Sequence, residues 1–379
     1  MTIIPPGSTI GILGGGQLGR MIAVAAAQLG YRTHIFAPED SGPAADVSPN
    51  WTHGAYEDAA ALSAFADSVD VVTYEFENID PSAVDTLARH GLVRPGAQAL
   101  RVAQDRLAEK RFVCDLGGLT APFAPVESLD DLESAVETIG SRAILKTNRM
   151  GYDGKGQARL AEPGDAVGAW NAIGRQSAIL EGFVTFAEEF SVILVRGADG
   201  AVRFWDSPAN VHVDGILSTS TAPAGPLIEG QVDQARALAK QVADALDYVG
   251  VLTLEFFASA DGPVFNEMAP RVHNSGHWTI EGAVTSQFEN HVRAICGLPL
   301  GETGLAAPRV EMRNLIGDDV AAWADILRDP ANHLHLYGKH EARPGRKMGH
   351  VTYLGSNDPA GMAEANTDSL APPNRRSNG

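Results

Sequence analysis

The chain has 379 residues, with 29 Lys and Arg against 47 Asp and Glu, a formal net charge of −18, 44% hydrophobic residues and 20% charged ones. That is globular composition with room for about two or three domains. So much negative charge excludes the broad basic surface that nucleic acid or an anionic membrane requires, so any anionic ligand must be met by locally gathered Lys and Arg. The first ten residues lack a basic leader pattern and no apolar run on the order of 18 residues occurs, which gives a soluble cytoplasmic reading. Cys114 and Cys296, far apart and without metal-ligand spacing, read as buried, reduced thiols.

Residues 8–13 form a short β-rich run, followed by G-G-G-Q-L-G-R and an apolar helix pattern over 21–29, the opening of a βαβ unit. Gly14, Gly16 and Gly19 match G-x-G-x-x-G in spacing. Taken alone they fit NAD, with Glu39 about 20 residues on as the ribose ligand. The physical content of the motif is narrower: backbone N–H groups and a helix N-terminus where an anion, here expected to be phosphate, can sit. A strand over 33–36, a helix over 59–66 and a strand over 69–75 follow. The last strand ends in E-F-E-N, and polar groups at the carboxyl end of a parallel strand are where doubly wound sheets bind ligands. Glu75, Glu77 and Asn78 are therefore site candidates, with helix capping as the alternative. Residues 98–118 carry a basic amphipathic helix whose Arg106 and Lys110, four apart, read as a solvated face. Pro122 and Pro125 mark a boundary.

A strand over 142–145 leads into K-T-N-R-M-G-Y-D-G-K-G-Q, which places Lys146 at a strand end before a glycine-interrupted loop. Gly151, Gly154 and Gly156 permit positive φ, and Lys146 and Lys155 supply charge, so the stretch reads as a phosphate cradle. It is not the G-x-x-x-x-G-K-[ST] loop, and a surface hairpin turn is the alternative. Strands over 178–184 and 188–195 place Glu181 for an adenine edge and Glu189 for a ribose diol. A hairpin of 251–257 and 264–267 around residues 260–262 brings Glu255 close to Asn266 and Glu267, with cross-strand side chains about 5 Å apart. Two carboxylates so close require a proton or a cation between them, and an all-oxygen set suits Mg²⁺. Arg271, His273, Asn274, Ser275 and His277 crowd the next segment, which has no helical period and reads as a ligand loop. Zinc at His273 and His277 is disfavoured by Gly276 and by the lack of a third ligand. Residues 298–316 begin a smaller β-rich segment. Lys339, Arg343, Arg346 and Lys347 gather there as a local anion receptor, with a basic surface turn as the alternative. From residue 356 the Pro-, Asn-, Ser- and Asp-rich chain reads as disordered.

The stretches G-I-L-G-G-G-Q-L-G-R-M (11–21), T-Y-E-F-E-N-I (73–79), G-Y-D-G-K-G-Q (151–157), N-E-M-A-P-R-V-H-N-S-G-H-W-T (266–279), and Y-G-K with R-P-G-R-K-M-G-H near the end occur in one order. Together they resemble the ATP-grasp carboxylate–amine ligases and, within them and up to about residue 354, the 5-(carboxyamino)imidazole ribonucleotide synthases of purine biosynthesis. The resemblance implies an α/β ATP-grasp fold. Its parts are an N-terminal doubly wound pre-ATP-grasp domain (1–104), a central α+β lid (105–185), a catalytic subdomain (186–298), a C-terminal β-rich segment (299–356) and a tail (357–379). It also implies ATP binding by Arg106, Lys146, Gly151, Tyr152, Asp153, Gly154, Lys155, Gly156, Gln157, Glu181, Gly182, Phe183, Val184, Glu189, His212, Asn266 and Glu267. His212 rests on the resemblance alone. Glu255 and Glu267 would hold magnesium. Gly16, Gln17, Leu18, Glu75, Arg271, His273, Asn274, Ser275, Lys339, Arg346 and Lys347 would bind aminoimidazole ribonucleotide. Tyr152 and Asp153 would orient bicarbonate or take the amine proton, with Arg271 and Lys339 as catalytic partners in a homodimer. The rivals are an NAD-dependent oxidoreductase and a non-catalytic nucleotide sensor.

Overall fold

The computed structural model describes residues 3–149, 151 and 156–355. Its first sheet comprises β1 (Thr9–Leu13), β2 (Arg32–Ala37), β3 (Asn50–His53) and β4 (Val71–Tyr74), all parallel in the order β3-β2-β1-β4. Strand order therefore reverses between β1 and β4, and the crevice outside their carboxyl ends is where such a sheet binds ligands. The glycine turn leaves β1 there and Glu75 leaves β4. The helix predicted from residue 21 begins four residues earlier, as Gln17–Gln28, because the end of the glycine motif is already helical. Leu18, Met21, Ile22 and Ala25 form its buried stripe at helical spacing.

The second sheet holds β5 (Phe123–Val126), β6 (Ala143–Thr147), β7 (Gln157–Leu160) and β8 (Ala178–Gly182), antiparallel in the order β5-β8-β6-β7. Leu145, Leu180 and Val126 face a core closed by Trp170 and Leu132 from two flanking helices. Pro125, expected at a boundary, lies inside β5; this is an edge strand, the place where a missing N–H is tolerated.

The third sheet comprises β9 (Glu188–Arg196), β10 (Val202–Phe204), β11 (Ala209–Val213), β12 (Ile216–Ala222), β13 (Gly250–Ser259), β14 (Gly262–Ala269), β15 (Arg309–Ile316), β16 (Asn332–Leu336) and β17 (Lys347–Gly355). Its order is β14-β13-β9-β11-β12-β15-β17-β16, with β10 on β9. The C-terminal strands thus continue the sheet that carries the 251–267 hairpin, joined through β12 and β15.

Two readings are corrected here. Cys114 is exposed, and only Cys296 is buried. The helix Arg106–Asp115 is no solvated face: Lys110 is 1% exposed and Glu109 2%, because this face covers β14 at the sheet edge. Among the described residues no helix is long and apolar enough to cross a membrane.

Candidate active site

At the crevice of the first sheet, the N–H groups of Gly16 and Gly19 donate to the Glu75 carboxylate, the second at 2.6 Å. Gly14 holds φ at +100°, and a Cβ there would stand 2.6 Å from Glu75 Cγ, so the close approach needs glycine. Burial raises the Glu75 carboxyl pKa, and the N–H groups of Gly19 and Gly16 work against that rise. The anion at this helix N-terminus is therefore the protein's own carboxylate, where the spacing predicted phosphate. This arrangement also leaves the dinucleotide reading of the glycine motif without free donors at Gly16 and Gly19. Glu77, one step further, takes the Arg271 guanidinium on both oxygens, with Nη2 at 2.8 Å from Oε1. From 27 positions further along the chain the same crevice receives Gln104, whose amide donates to Glu77 O at 2.6 Å.

The hairpin register places Glu255 on β13 directly opposite Glu267 on β14, with a bulge just after Glu255. Burial and the facing Glu267 push the Glu255 carboxyl up to about 7. Burial also raises Glu267, but Arg106 and Lys146 outweigh it and leave that group below its ordinary range. Arg106 Nη1 lies 3.1 Å from Glu267 Oε2 while Nη2 donates to Gly151 O at 3.1 Å. Asn266 Oδ1 is buried with no hydrogen-bond partner among the described residues. Two opposed carboxylates beside an orphaned amide oxygen form a hard, all-oxygen donor set that fits Mg²⁺. Among the described residues no group of three His, Cys, Asp or Glu side chains stands close enough to hold a metal alone, so the remaining positions would fall to water and phosphate oxygens.

Lys146, the fourth of the five residues of β6, reaches Glu181 Oε2 on β8 at 3.0 Å; Lys110 stands 3.5 Å from the same oxygen. Burial raises the Glu181 carboxyl, but these two ammonium groups prevail and hold it down at about 2. Beyond it, Phe183 is exposed after the strand ends at Gly182. His212 Nδ1 is 2.8 Å from Glu189 Oε2, and burial of the ring, which lowers its pKa, is outweighed by Glu189. Gly156 takes φ +69° and leads into Gln157, which opposes Lys146. Tyr152, Asp153, Gly154 and Lys155 lie outside the described residues.

A cleft of about 1070 Å³ runs from the glycine turn and Glu75 past the Glu255–Glu267 pair to the Lys339–Lys347 segment. Gly16, Gln17, Leu18, Glu75, Arg106, Gly151, Glu255, Glu267, Arg271, His273, Asn274, Lys339, Arg346 and Lys347 line it. Lys146, Gly156, Gln157, Glu181, Gly182, Phe183, Val184, Glu189, His212 and Asn266 lie outside that lining, on or beside the second sheet, which falls in the segment expected to form the lid, and on strands of the third, which holds the strands of the expected catalytic subdomain. Ser275 also lies off it; fully buried, it bonds His273 Nδ1 and Ser191 Oγ, both at 2.8 Å, and so orients His273 from behind. Burial and the nearby Arg271 hold the His273 imidazole neutral, well below its usual pKa. Lys339 Nζ donates to Lys347 O at 2.7 Å and stands 5.7 Å from the Tyr337 ring centroid, tying the basic segment into one piece. The reading of the sequence passed over Glu109, Gln104 and Asn314. Asn314 exchanges amide bonds of 2.9 and 2.7 Å with Asn274, and no local pattern announces such a pair.

A lysine-bearing antiparallel sheet facing a carboxylate-bearing sheet, beside a parallel ligand-binding sheet, defines an ATP-grasp ligase. Family models agree: an ATP-grasp domain matches residues 111–288, a ribonucleotide synthetase preATP-grasp domain 7–104, and a phosphoribosylaminoimidazole carboxylase C-terminal domain 311–364. The N5-carboxyaminoimidazole ribonucleotide synthase of Brucella melitensis is 52% identical over 93% of this chain and 98% of its own. An N5-carboxyaminoimidazole ribonucleotide synthetase crystallised with ADP superposes with a TM-score of 0.92 at 41% identity, over 96% of this chain and 97% of that one. The Aspergillus clavatus synthase, in complex with ADP and 5-aminoimidazole ribonucleotide, gives 0.86 at 31%, over 92% and 94%. The chain belongs to the N5-carboxyaminoimidazole ribonucleotide synthase family, the one its motifs resemble.

Proposed function

We propose that this protein carboxylates the 5-amino group of 5-aminoimidazole ribonucleotide, consuming ATP and bicarbonate and releasing ADP and phosphate, as a cytoplasmic homodimer in purine biosynthesis. The observation that carries the reading is one cleft lined by the opposed carboxylates Glu255 and Glu267, by Arg106, and by Glu75 with the Lys339–Lys347 segment, while the Lys146–Glu181 pair stands outside that lining on the second sheet.

Bicarbonate is a poor electrophile. Its oxygen attacks the γ-phosphorus, the bond to the β-bridging oxygen breaks, and ADP leaves, giving carboxyphosphate. The ribonucleotide amine then forms a C–N bond to the carboxyl carbon, or to CO₂ released from it, as phosphate departs and the amine gives up a proton. Lys146 and Arg106 supply positive charge beside the transferring phosphoryl. Glu255 and Glu267 would hold magnesium, which would supply further neutralisation of phosphate charge. Arg271, its fork spread on Glu77, is held rigid at the junction of the two ligand regions. Tyr152 and Asp153 orient bicarbonate or receive the amine proton, and Lys339, Arg346 and Lys347 meet the ribonucleotide phosphate.

The test is ADP release with ATP, magnesium and bicarbonate, with and without aminoimidazole ribonucleotide. Bicarbonate-dependent stimulation by the ribonucleotide is the expected result. Sound ATP binding without stimulation would point to another acceptor, or to a sensor. Sedimentation of the purified chain tests the dimer.

A further inference from the structure

β14, which carries Asn266 and Glu267, is the last strand of its sheet, so one row of its backbone groups has no neighbouring strand. Four of its backbone groups nevertheless find partners outside the sheet. Phe265 N donates to Leu119 O at 2.7 Å, Met268 N donates to Glu109 Oε1 at 2.7 Å, and Lys110 Nζ donates to Asn266 O at 2.7 Å and to Phe265 O at 3.3 Å. The ammonium of Lys110 also faces Glu181 Oε2 on β8, at 3.5 Å, and lies 5.4 Å from the centroid of the Phe265 ring.

A lysine buried to this degree is costly unless each of its donors has a partner. Here the donors divide between two elements. One carries the carboxylate that faces Glu255; the other carries the carboxylate that holds Lys146. The edge strand alone would be covered as well by an uncharged amide. The bridge to Glu181 requires a cation and spans from the lid sheet to the catalytic sheet, across the place where a nucleotide would lie between its base and phosphate contacts.

We propose that Lys110 is a positioning residue for the nucleotide, fixing β14 and Glu181 relative to each other so that the two ends of the ATP site are in register before ATP arrives. The proposal rests on the ATP reading of the Lys146–Glu181 end. It assigns no contact between Lys110 and the substrate.

The experiment compares the full-length protein with Lys110→Met and with Val113→Ala, which truncates a buried core residue on the same helix and serves as a stability control. ADP affinity is read by calorimetry in the presence of magnesium, Tm by unfolding, and the KM values for ATP and for aminoimidazole ribonucleotide from turnover. Loss of a charge-assisted bridge predicts roughly 10- to 100-fold weaker ADP binding and a matching rise in the ATP KM for Lys110→Met. The ribonucleotide KM should stay within about twofold, and Val113→Ala should lower Tm with ADP affinity intact. Equal ADP affinity in Lys110→Met and the parent overturns the proposal, as does a loss that Val113→Ala reproduces at the same Tm. Should Lys110→Met fail to fold, Lys110→Gln carries the same comparison, since its amide can still donate to the two carbonyls but brings no charge to Glu181; unchanged ADP affinity there overturns the proposal too. A parent that binds no ADP would instead remove the nucleotide reading beneath it.

Discussion

Glu75 occupies the anion position of the first glycine turn with two backbone donors on its two oxygens. A carboxylate so fixed can direct its remaining lone pairs into the cleft, toward hydroxyl or amine donors of a ribonucleotide. Glu75→Gln keeps the shape but turns one oxygen into an N–H₂ aimed at an N–H. The expected outcome is a rise of roughly 10- to 100-fold in the ribonucleotide KM with ATP KM unchanged, checked by steady-state kinetics. Arg271→Lys is the companion case: a point charge cannot reproduce the two-pronged grip on Glu77, so kcat/KM should fall by roughly 100-fold with the charge still present. These residues were legible in the sequence because glycines and polar strand ends are local signals. What filled the glycine turn was not, since Glu75 arrives 59 positions later in the chain. Arg106 and Lys110 show the same limit, for their spacing put them on one face of a helix and nothing nearby in sequence said that an edge strand would cover that face.

At the scale of elements, the β13–β14 hairpin was readable to within one residue. A tight turn at residues 260–262 fixes register by counting as far as Phe256 opposite Phe265, and a bulge after Glu255, which counting does not foresee, moves the partner of Glu255 from Asn266 to Glu267. The lid hairpin β6–β7 is bounded by Thr147 and Gly156, whose O accepts from Thr147 N at 2.8 Å. With φ at +69°, and Thr147 Oγ1 only 2.6 Å from where a Cβ would stand, Gly156 sets how the glycine loop leaves the sheet. Gly156→Ala should cost about 1–2 kcal/mol of stability and raise the ATP KM by roughly 10-fold, because left-handed backbone strains any residue with a Cβ. Urea unfolding and kinetics together check it; an unchanged ATP KM with the stability loss present would confine the loop base to a structural role. The union of the C-terminal strands with the catalytic sheet was not legible. Pairing between β12 and β15 joins segments some ninety positions apart, and such pairings leave no periodicity in either segment.

At the scale of the whole molecule, His291, buried in the helix Gln287–Ile295, bonds both the parallel sheet and the catalytic sheet. Its Nδ1 accepts from Val251 N of the catalytic sheet at 3.2 Å, and its Nε2 meets Thr73 Oγ1 of the parallel sheet at 2.9 Å. Burial lowers its pKa from 6.5 to about 4. The folded pKa lies below the unfolded one, so between these values the unfolded chain takes a proton that the native protein excludes; the stability held above pH 6.5 is lost as pH falls toward 4. By pH 5 the loss from this one group reaches about 2 kcal/mol. His277, lowered to about 3 by burial, acts in the same direction. Glu255 and Glu109, raised by burial to about 7 and about 8, act in the opposite one, so the acid profile of the parent is a sum of opposed contributions. The variant His291→Gln isolates the histidine, since a neutral amide can still bond Val251 N or Thr73 yet does not titrate. Its stability at pH 7.5 should fall below that of the parent, and the gap should shrink by about 2 kcal/mol at pH 5, measured by urea unfolding at both pH values. A gap that stays constant would mean that the junction between the two sheets senses no proton at His291, and that the acid sensitivity of the protein arises elsewhere.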